Sequence, residues 1–442
     1  MSLFRKLVFR VGSKLLRPKI LENFDALVEE RYLSLDKRIA RQNRKLRLMV
    51  QHCYANVPYY TELFEKLGLT PSDIKSAEDL KKLPILSKSD IKSSFDKFTP
   101  TNIAEIKHIN AATGGSTGIP LKYRMSTEDV DLGVAELYFD WATAGYELGD
   151  KVAILAGGSI VGKEIRLFKR VKGWLKNQRS YSSYGLTDDL LDVYLKDMID
   201  WKMDFLRGYP TAIYRMARFI EESDRSYEFN LKAIITTAEM LQPNHRRYIE
   251  RVFKTSVFDT YGLGDGGISA YECEVHEGFH INMDRAILEV VDHEGVGVYE
   301  SQGAILATSL INYSFPFLRY DSGDMGVLSS TACLCGESRP ILKKILGRST
   351  DIINIGGSTI GGPMITILMQ QVHAALYRFI QVGEYVVEVV IVKDLGYSVW
   401  DENYILTSMR SQIDGIEIVF KYVDDIPVNG DEKFKVVVNN YN

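Results

Sequence analysis

The sequence predicts an α/β protein with a large multi-layer N-terminal domain and a small α+β C-terminal domain. Between residues 108 and 310, strand-like runs such as "KVAILAG" and "LKAIITTAE" alternate with helical runs such as "PNHRRYIERVF". This alternation is typical of helices that cover a substantially parallel sheet. After "ILGRSTDIINIGG" at 345–357 the pattern begins again, which indicates a second compact domain.

The individual elements are predicted in chain order. Residues 24–95 contain helix formers, Ser-Asp helix starts and Pro-bounded breaks, so they form a helical lead-in. The run "IKHINAA" predicts a strand and "TEDVDLGVAELYFDWATAG" a helix, and "SVFDTYG" and "GAILATSL" predict further strands. In the last domain, "GPMITILMQQVHAALYRF" and "ENYILTSMRSQID" predict helices, while "EYVVEVVIVKD" and "IEIVFKYVDDI" predict strands. We place the domains at 24–347 and 348–442, after an N-terminal helix at 1–23.

Composition excludes several classes of protein. The 442 residues carry a net charge of -4, and without an excess of Lys and Arg a nucleic-acid partner is disfavoured. No apolar run is long enough to span a membrane and no secretory segment is recognised, so we expect a cytoplasmic protein. The 4 cysteines are too few for a disulfide scaffold in a chain of this length.

The first twenty residues combine basic and apolar side chains at helical spacing. The basic ones are Arg5, Lys6, Arg10, Lys14, Arg17 and Lys19, with no acid among them. A basic amphipathic helix can lie on an anionic membrane surface, in a bacterium the inner membrane. An ordinary helix packed on the protein itself explains the same pattern, and both interpretations stay open.

A Gly-rich loop, "AATGGSTGIPLKY" at 111–123, follows the first predicted strand. Its glycines let backbone N–H groups converge on an anion and its hydroxyls add donors, which favours phosphate binding. The loop lacks the order of the common nucleotide-binding loop, so a flexible surface turn is the alternative.

Further motifs follow at wide intervals. They are "TTAEMLQP" at 236–243, "DTYGLGDGG" at 259–267, "FPFLRYDSGDMG" at 315–326, "ILGRSTDIINIGG" at 345–357 and "IPVNGDEKFKVVV" at 426–438. In this order, with the Gly-rich loop, they resemble the adenylate-forming ligase superfamily. Within it the chain looks like the branch of phenylacetate-CoA ligase and the CapK-type proteins of capsular polysaccharide biosynthesis, a likeness that extends to "CYANVPYYTELFEKLGL" near the N-terminus.

The resemblance implies that ATP couples AMP to a carboxylate and that the acyl group then passes to a nucleophile. Residues of the Gly-rich loop that match the family's phosphate loop are Thr113, Gly114, Gly115, Ser116, Thr117 and Gly118. Leu121 stands where relatives often have Lys, although Lys122 follows it. Glu239 matches a family Ala-Glu pair near the nucleotide, and a structural carboxylate is the alternative.

The resemblance also assigns an adenine-proximal turn and a metal ligand. Tyr261 and Gly262 match the turn near adenine, and Asp265 stands where relatives carry a Glu that binds Mg²⁺. Asp is one methylene shorter but remains a hard oxygen ligand, so Mg²⁺ binding is expected with altered reach.

Asp324 matches the family acid that accepts both ribose hydroxyls, and Asp321 is the less favoured choice by spacing. Arg348 matches an arginine beside the hinge that contacts ribose or phosphate. Two residues later the family has Asp or Lys, whereas this chain has Thr350 followed by Asp351, which leaves the hinge residue open.

A lysine near the C-terminus is the catalytic residue that the resemblance implies. Its charge would stabilise the pentavalent transition state at the α-phosphate. Lys433 fits the family's Lys-x-Lys order better than Lys435, and two solvent-exposed lysines are the alternative.

Cysteine and histidine form two close pairs, Cys273-x-x-His276 and Cys333-x-Cys335. If the pairs meet in space, their four ligands would hold a structural Zn²⁺ with no open coordination position. His280 is the second choice for the histidine ligand, and free buried thiols are the alternative.

We therefore predict an ATP-dependent ligase that joins a sugar-derived, uronic carboxylate to an amine in bacterial surface-polysaccharide biosynthesis. An aryl-acid CoA ligase, which would add CoA to the cofactors, is the alternative, and a catalytically degenerate nucleotide-binding scaffold is a further one. The aromatic residues Tyr138, Phe139, Trp141 and Tyr209 could line the pocket in either enzyme.

Overall fold

A computed structural model describes residues 2–113, 120–157, 173, 176–223, 225–349, 351–355, 358–413, 415–426 and 434–441. Its helices are α1 (Ser2–Leu16), α2 (Pro18–Glu29), α3 (Leu35–Asn56), α4 (Pro58–Leu67), α5 (Lys88–Ser93), α6 (Thr127–Thr143), α7 (Asp188–Trp201), α8 (Pro210–Glu222), α9 (Pro243–Phe253), α10 (Gly362–Met369) and α11 (Val399–Arg410). Within these residues, we find no helix with the length and apolar character that crossing a membrane requires.

The strands confirm most of the predicted runs. They are β1 (His108–Ala112), β2 (Lys122–Ser126), β3 (Val152–Ala156), β4 (Gln178–Ser182), β5 (Phe205–Gly208), β6 (Ala233–Thr237), β7 (Val257–Leu263), β8 (Ile268–Tyr271), β9 (Phe279–Ile281), β10 (Ala286–Val291), β11 (Gln302–Ser309), β12 (Tyr320–Leu328), β13 (Ile341–Arg348), β14 (Ile352–Ile355), β15 (Ser358–Gly361), β16 (Ala374–Gln381), β17 (Val386–Lys393), β18 (Glu417–Tyr422) and β19 (Val437–Asn439).

The chain forms two compact units. The first comprises Met1–Asp150, Phe258–Ser322 and Gly326–Lys344, and the second comprises Lys151–Val257, Gly323–Met325 and Ile345–Asn442. These units cut across the domains placed at 24–347 and 348–442, because residues 151–257 cluster with the C-terminal residues. The domain boundaries stay a prediction.

The first unit contains the helical lead-in and antiparallel strands. Its strands lie in the order β10-β11-β12-β13-β9-β8-β7. The pairs β10–β11, β7–β8, β8–β9 and β9–β13 are antiparallel. The expected parallel sheet therefore does not continue into this region. The connections between β7, β8 and β9 are too short for the crossover helix that parallel neighbours need.

An aromatic group forms part of the core of the first unit. The Tyr59 and Phe98 rings stack with centroids 4.1 Å apart, and Phe315 and Phe317 pack beside Phe98. Phe64 and Phe98 are both fully buried, so the helical lead-in is joined to the β11–β12 region through apolar contact.

The second unit contains the parallel part of the protein. Strands β6, β5, β3 and β4 lie side by side in that order, and the pairs β6–β5, β5–β3 and β3–β4 are all parallel. Helices α7, α8 and α9 cover this sheet through buried residues such as Leu195, Ile213 and Ile249. This confirms the α/β prediction for residues 151–257, where helices separate β4, β5 and β6.

The C-terminal residues form the small α+β arrangement that the sequence predicts, with one correction. The predicted helix over 362–379 ends at Met369, and residues 374–381 form strand β16 between β17 and β19. The run misled the prediction because β16 is buried on both faces, with Phe379 in the C-terminal core and Leu376 against the core of the parallel sheet. A strand buried on both sides lacks the alternation that distinguishes it from a buried helix.

The basic N-terminal segment packs partly on the first unit. Residues 2–29 form two helices, because the second begins at Pro18. The Phe9 ring lies 5.8 Å from Tyr138, and Lys6 and Arg17 form ion pairs with Asp150 and Asp131. These contacts support the interpretation of a helix packed on the protein.

Replacing Gly208 by alanine is expected to lower the midpoint of thermal unfolding. A Cβ at Gly208 would lie 2.2 Å from the Leu155 carbonyl oxygen on the neighbouring strand, closer than atoms can approach. Such overpacking costs about 1–3 kcal/mol of unfolding free energy. Gly12→Ala is the matched control, because a Cβ there meets no atom within 4 Å. Equal midpoints for the two variants would contradict the described β3–β5 pairing.

Candidate functional site

The candidate phosphate loop joins the two strands of an antiparallel hairpin. Ala112 pairs with Lys122 at the end of β1–β2, and the Thr113 N–H donates to the Leu121 carbonyl oxygen at 3.0 Å. The Leu121 N–H in turn donates to Thr113 Oγ1 at 3.0 Å. Residues 114–118 lie outside the described part of the chain. Leu121, at the position where relatives carry Lys, is 1% exposed, so this chain uses it for packing.

The turn between β7 and β8 carries the next group of predicted residues. Tyr261 and Gly262 belong to β7, and Asp265 lies in the turn with only 6% of its surface exposed. The Tyr320 hydroxyl donates to Asp265 Oδ2 at 2.5 Å. Burial, reinforced by the charges of Asp265 and Asp129, raises the pKa of Tyr123 to about 12. The Asp265 carboxylate is therefore buried in the first unit and held in place by the hydrogen bond from Tyr320.

Asp324 and Arg348 form an ion pair in the second unit. Arg348 Nε lies 3.6 Å from Asp324 Oδ1, with Asp324 the more buried partner. The Ser349 N–H donates to the Gly323 carbonyl oxygen at 2.9 Å, which holds the chain after Arg348 beside Asp324. The sequence thus predicted two residues that the fold brings together from β12 and β13. Thr350 lies outside the described residues.

The charges around Arg348 extend toward the C-terminus. Burial raises the pKa of Asp351, and the positive charges of Arg348 and Lys435 oppose that rise. The Lys435 carbonyl oxygen accepts a hydrogen bond of 3.0 Å from Arg378 Nε. Lys433 lies outside the described residues, so the choice between Lys433 and Lys435 stays a prediction.

Glu239 follows a strained residue at the carboxyl end of β6. Ala238 has a φ of 69°, in the left-handed region that costs a residue with a Cβ about 1 kcal/mol or more. The Glu239 carboxylate accepts from Thr211 Oγ1 at 2.6 Å and from the Phe434 N–H at 3.4 Å. The strained backbone and these contacts together fix the direction of the carboxylate.

A small cleft with polar and apolar walls lies beside Glu239. Its lining residues are Ser183, Tyr184, Tyr209, Thr211, Ala212, Arg215, Glu239, Leu376, Ile426 and Phe434. Ser183, Tyr209 and Glu239 come immediately or two residues after the carboxyl ends of β4, β5 and β6. Open α/β sheets bind ligands at these ends, so the rule could have identified Ser183, Thr211 and Arg215 from the sequence.

Only one of the four aromatic residues proposed for the pocket lines this cleft. Tyr209 does so, whereas Tyr138, Phe139 and Trp141 are buried in α6 at 3%, 1% and 1% exposure. These three pack against the first unit's own rings, including Tyr146 and Tyr271. Their spacing on a helix reflects a core face.

Three cysteines and a histidine meet in the first unit. Cys273, His280, Cys333 and Cys335 place one ligand atom each within 4.8 Å of one another. Cys273 Sγ lies 3.6 Å from Cys333 Sγ, and Cys335 Sγ lies 3.3 Å from His280 Nε2. All three cysteines are free thiols.

The histidine of this group corrects the predicted ligand set. His276, in a turn with a φ of 56°, directs Nδ1 to Glu272 Oε2 at 3.2 Å and its ring to Phe258. His280, the second choice from the sequence, takes the place in the cluster because β9 alternation points its side chain inward. Burial, reinforced by Arg339 and Arg31, lowers the pKa of His280 to about 4, so the imidazole is neutral at pH 7.

Comparisons with known proteins agree with this fold. No family model matches the chain. The chain is 26% identical over 417 residues to Protein CapK of Staphylococcus aureus, which covers 90% of this chain and 88% of that protein. It is 27% identical over 365 residues to phenylacetate-coenzyme A ligase of Pseudomonas putida, covering 79% and 78%. A solved structure of 2-hydroxyisobutyryl-CoA ligase in the postadenylation state matches with a TM-score of 0.72 at 18% identity, covering 93% of this chain and 91% of that one.

The mixed α/β architecture and these relatives define the class of protein. The chain is similar in sequence to CapK and to phenylacetate-CoA ligases, and it has the fold of an adenylate-forming acyl-CoA ligase. It is an ATP-dependent, AMP-forming ligase, similar in sequence to CapK and to the phenylacetate-CoA ligases.

Replacing Asp324 by alanine is expected to weaken ATP binding by about 10- to 100-fold, because hydrogen bonds to a charged group contribute about 1.5–3 kcal/mol. Isothermal titration calorimetry with ATP and Mg²⁺ measures the dissociation constant without a carboxylate substrate. Asp321→Ala is the matched control, since Asp321 lies three residues earlier on β12. A larger loss of affinity in the Asp321 variant would show that Asp321, and not Asp324, contacts the ribose.

Proposed function

We propose that the chain activates a sugar-derived carboxylate, such as a uronic acid, and joins it to an amine in bacterial surface-polysaccharide biosynthesis. The observation that carries this proposal is the set of polar side chains at the small cleft beside Glu239. Hydroxyl groups of Ser183, Tyr184, Tyr209 and Thr211 line it, together with the charged Arg215 and Glu239.

The chemistry of that lining favours a polar acyl group. Ser183 Oγ is buried without a hydrogen-bond partner among the described residues. If an aromatic ring bound here, the unpaired Ser183 hydroxyl would reduce the binding free energy by about 1–3 kcal/mol. A sugar hydroxyl could instead form a hydrogen bond with it. Ring acids are bound mainly by apolar walls, and the apolar side of this cleft includes Leu376, Ile426 and Phe434.

ATP is proposed to bind through the residues that the resemblance assigns to it. In the second unit, the Asp324 carboxylate would accept the two ribose hydroxyls while Arg348 contacts ribose or phosphate. Their 3.6 Å ion pair holds both groups in place before nucleotide arrives. Thr113 and residues 114–118 would grip the pyrophosphate, and Tyr261 with Gly262 would lie near adenine.

The C-terminal lysine is proposed to stabilise the adenylation transition state. The Phe434 N–H donates to Glu239 Oε1 at 3.4 Å, and Phe434 directly follows Lys433 in the sequence, which supports this proposal. A positive charge there would offset the negative charge that develops at the α-phosphate when the carboxylate attacks. Lys435 lies close enough to influence the Asp351 carboxyl and is the competing candidate.

Mg²⁺ is proposed to bind Asp265. The chemistry fits, because Asp265 is a buried carboxylate that accepts a hydrogen bond from the neutral Tyr320, and Mg²⁺ prefers oxygen ligands. When bound, the ion would supply charge neutralisation on the phosphates. Tyr320 orients the carboxylate by donating to Oδ2.

Residues 348–442 are proposed to move as a domain between the two half-reactions. Ile353, Phe379, Val389 and Ile405 belong to a core that C-terminal residues form by themselves. Leu376 and Val390 pack instead in the core of the parallel sheet, and this contact would have to break for the domain to move. Rotation near Thr350 would bring the catalytic lysine in for adenylation and remove it for acyl transfer.

An aryl-acid CoA ligase is the second candidate. The similarity to phenylacetate-CoA ligases, at 25% to 28% identity, supports it. In that case CoA would be the acceptor.

We expect pyrophosphate release with ATP, Mg²⁺, hydroxylamine and hexuronic acids or their nucleotide sugars, but not with aryl acids. Hydroxylamine intercepts an acyl-adenylate whatever the natural acceptor, so the assay tests the acid alone. Turnover only with aryl acids would overturn the sugar-acid proposal and support the CoA ligase. ATP binding without turnover on any acid would support the degenerate scaffold.

Lys433→Ala is expected to reduce adenylation by about 100- to 1,000-fold, as loss of a transition-state donor does, and to spare transfer from a chemically supplied acyl-adenylate. Lys435→Ala is the matched control two residues away. If the rates of adenylation and of acyl transfer decrease equally in the Lys433 variant, the proposal that a domain movement separates the two half-reactions is wrong.

We propose that the enzyme is cytoplasmic and that α1 contacts the membrane surface. Three apolar side chains of α1 are exposed beside the exposed Arg10 and Lys14: Val11 at 50%, Leu15 at 79% and Leu16 at 70%. We expect the protein to co-sediment with vesicles containing anionic lipid, and Leu15→Asp to reduce this binding. Leu395→Asp, at another exposed leucine, is the control. No co-sedimentation of the unaltered protein would leave α1 as an ordinary packed helix.

A further inference from the structure

The group Cys273, His280, Cys333 and Cys335 lies at the junction of two chain segments. Cys273 follows β8 and His280 belongs to β9, while Cys333 and Cys335 lie in the connection between β12 and β13. β9 and β13 pair through His280 with Ile341 and Phe279 with Leu342, which brings the segments together. The pairing of β9 with β13 thus brings the two segments of the cluster together.

Two of the distances between ligand atoms are close to those of a tetrahedral metal site. Zn–S bonds of about 2.3 Å and Zn–N bonds of about 2.0–2.1 Å at tetrahedral angles separate two sulfurs by about 3.8 Å and a sulfur from a nitrogen by about 3.6 Å. Here the Cys273 and Cys333 sulfurs are 3.6 Å apart, and the Cys335 sulfur is 3.3 Å from His280 Nε2. A disulfide would need sulfurs about 2.05 Å apart.

Backbone N–H groups also point at the sulfurs. The Glu337 N–H donates to Cys335 Sγ at 3.5 Å, and the Val275 backbone N–H donates to Cys273 Sγ. Donors of this kind stabilise thiolates and fix their direction toward a metal.

The residues after Cys335 hold the N-terminal helices. Glu337 accepts hydrogen bonds from Tyr271 at 2.5 Å and from Arg31 at 3.2 Å. Ser338 donates to the Leu33 carbonyl oxygen and accepts from Arg38 Nε at 3.3 Å. The 333–338 turn therefore holds the α2–α3 junction in place through these hydrogen bonds.

We propose that Cys273, His280, Cys333 and Cys335 bind one Zn²⁺ as a closed, four-coordinate structural site that locks the 333–338 turn onto the α2–α3 junction. Three sulfurs and one nitrogen complete a tetrahedral set, so no position remains for water or substrate. The site is separate from the nucleotide chemistry proposed above, and its role is to hold the first unit together.

Metal analysis of the tag-free full chain by inductively coupled plasma mass spectrometry tests the proposal. We expect about one zinc per chain in the unaltered protein, retained in His276→Gln and reduced to a small fraction in His280→Gln and Cys335→Ser. His276→Gln is the matched control, because it removes a histidine four residues away that lies outside the group. Iron or no metal in the unaltered protein, or equal zinc loss in the two histidine variants, would overturn the proposal.

A measurement on the unaltered protein avoids the risk that a variant fails to fold. Titration of the thiols with a mercurial, read by a colorimetric zinc indicator, should release one zinc as the three clustered cysteines react. Hydrogen exchange should then increase at residues 333–338 and 30–38, with β16–β17 unchanged. Zinc release without increased exchange at 30–38 would contradict the proposed lock on the helices.

Discussion

The cleft beside Glu239 depends on the carboxyl ends of the parallel strands β4, β5 and β6. Parallel neighbours direct their chain ends to one edge, and there the backbone leaves the sheet with polar side chains. Gly208 permits the close approach of β5 to β3, and the left-handed Ala238 turns Glu239 into the cleft. Without the parallel pairing, Ser183, Thr211 and Glu239 would not converge.

The charged groups of the second unit depend on the same framework. Glu239 connects the sheet edge to the Phe434 backbone, while Asp324 and Arg348 meet where β12 and β13 pass each other. Lys435 adds a positive charge felt by Asp351. These residues come from widely separated parts of the sequence, and backbone groups of Gly323, Ser349 and Phe434 help to hold them together. Such an arrangement suits chemistry that needs charge neutralised at a defined position.

The sequence predicted the elements with strong local signals and missed features that depend on tertiary environment. The strands β3, β6 and β17 and the helices α6 and α9 follow directly from their patterns. β16 was mistaken for a helix because both of its faces are buried, and the antiparallel strands after residue 258 were mistaken for parallel ones. The choice between His276 and His280 could not be made from spacing, since only the β9 register directs His280 to the sulfurs. Asp324 and Arg348 were predicted by resemblance, whereas Ser183, Thr211 and Arg215 needed the strand-end rule.

The transfer of oxygen between substrate and nucleotide tests the assignment as an AMP-forming ligase most directly. A carboxylate labelled with ¹⁸O in both oxygens would be incubated with ATP and the acceptor, and the nucleotide product analysed by mass spectrometry. Attack at the α-phosphate predicts one labelled oxygen in AMP, because the carboxylate oxygen that joined the phosphate stays with it when the acyl group leaves. ADP as the product, with the label in inorganic phosphate, would contradict adenylate formation and show activation through an acyl-phosphate.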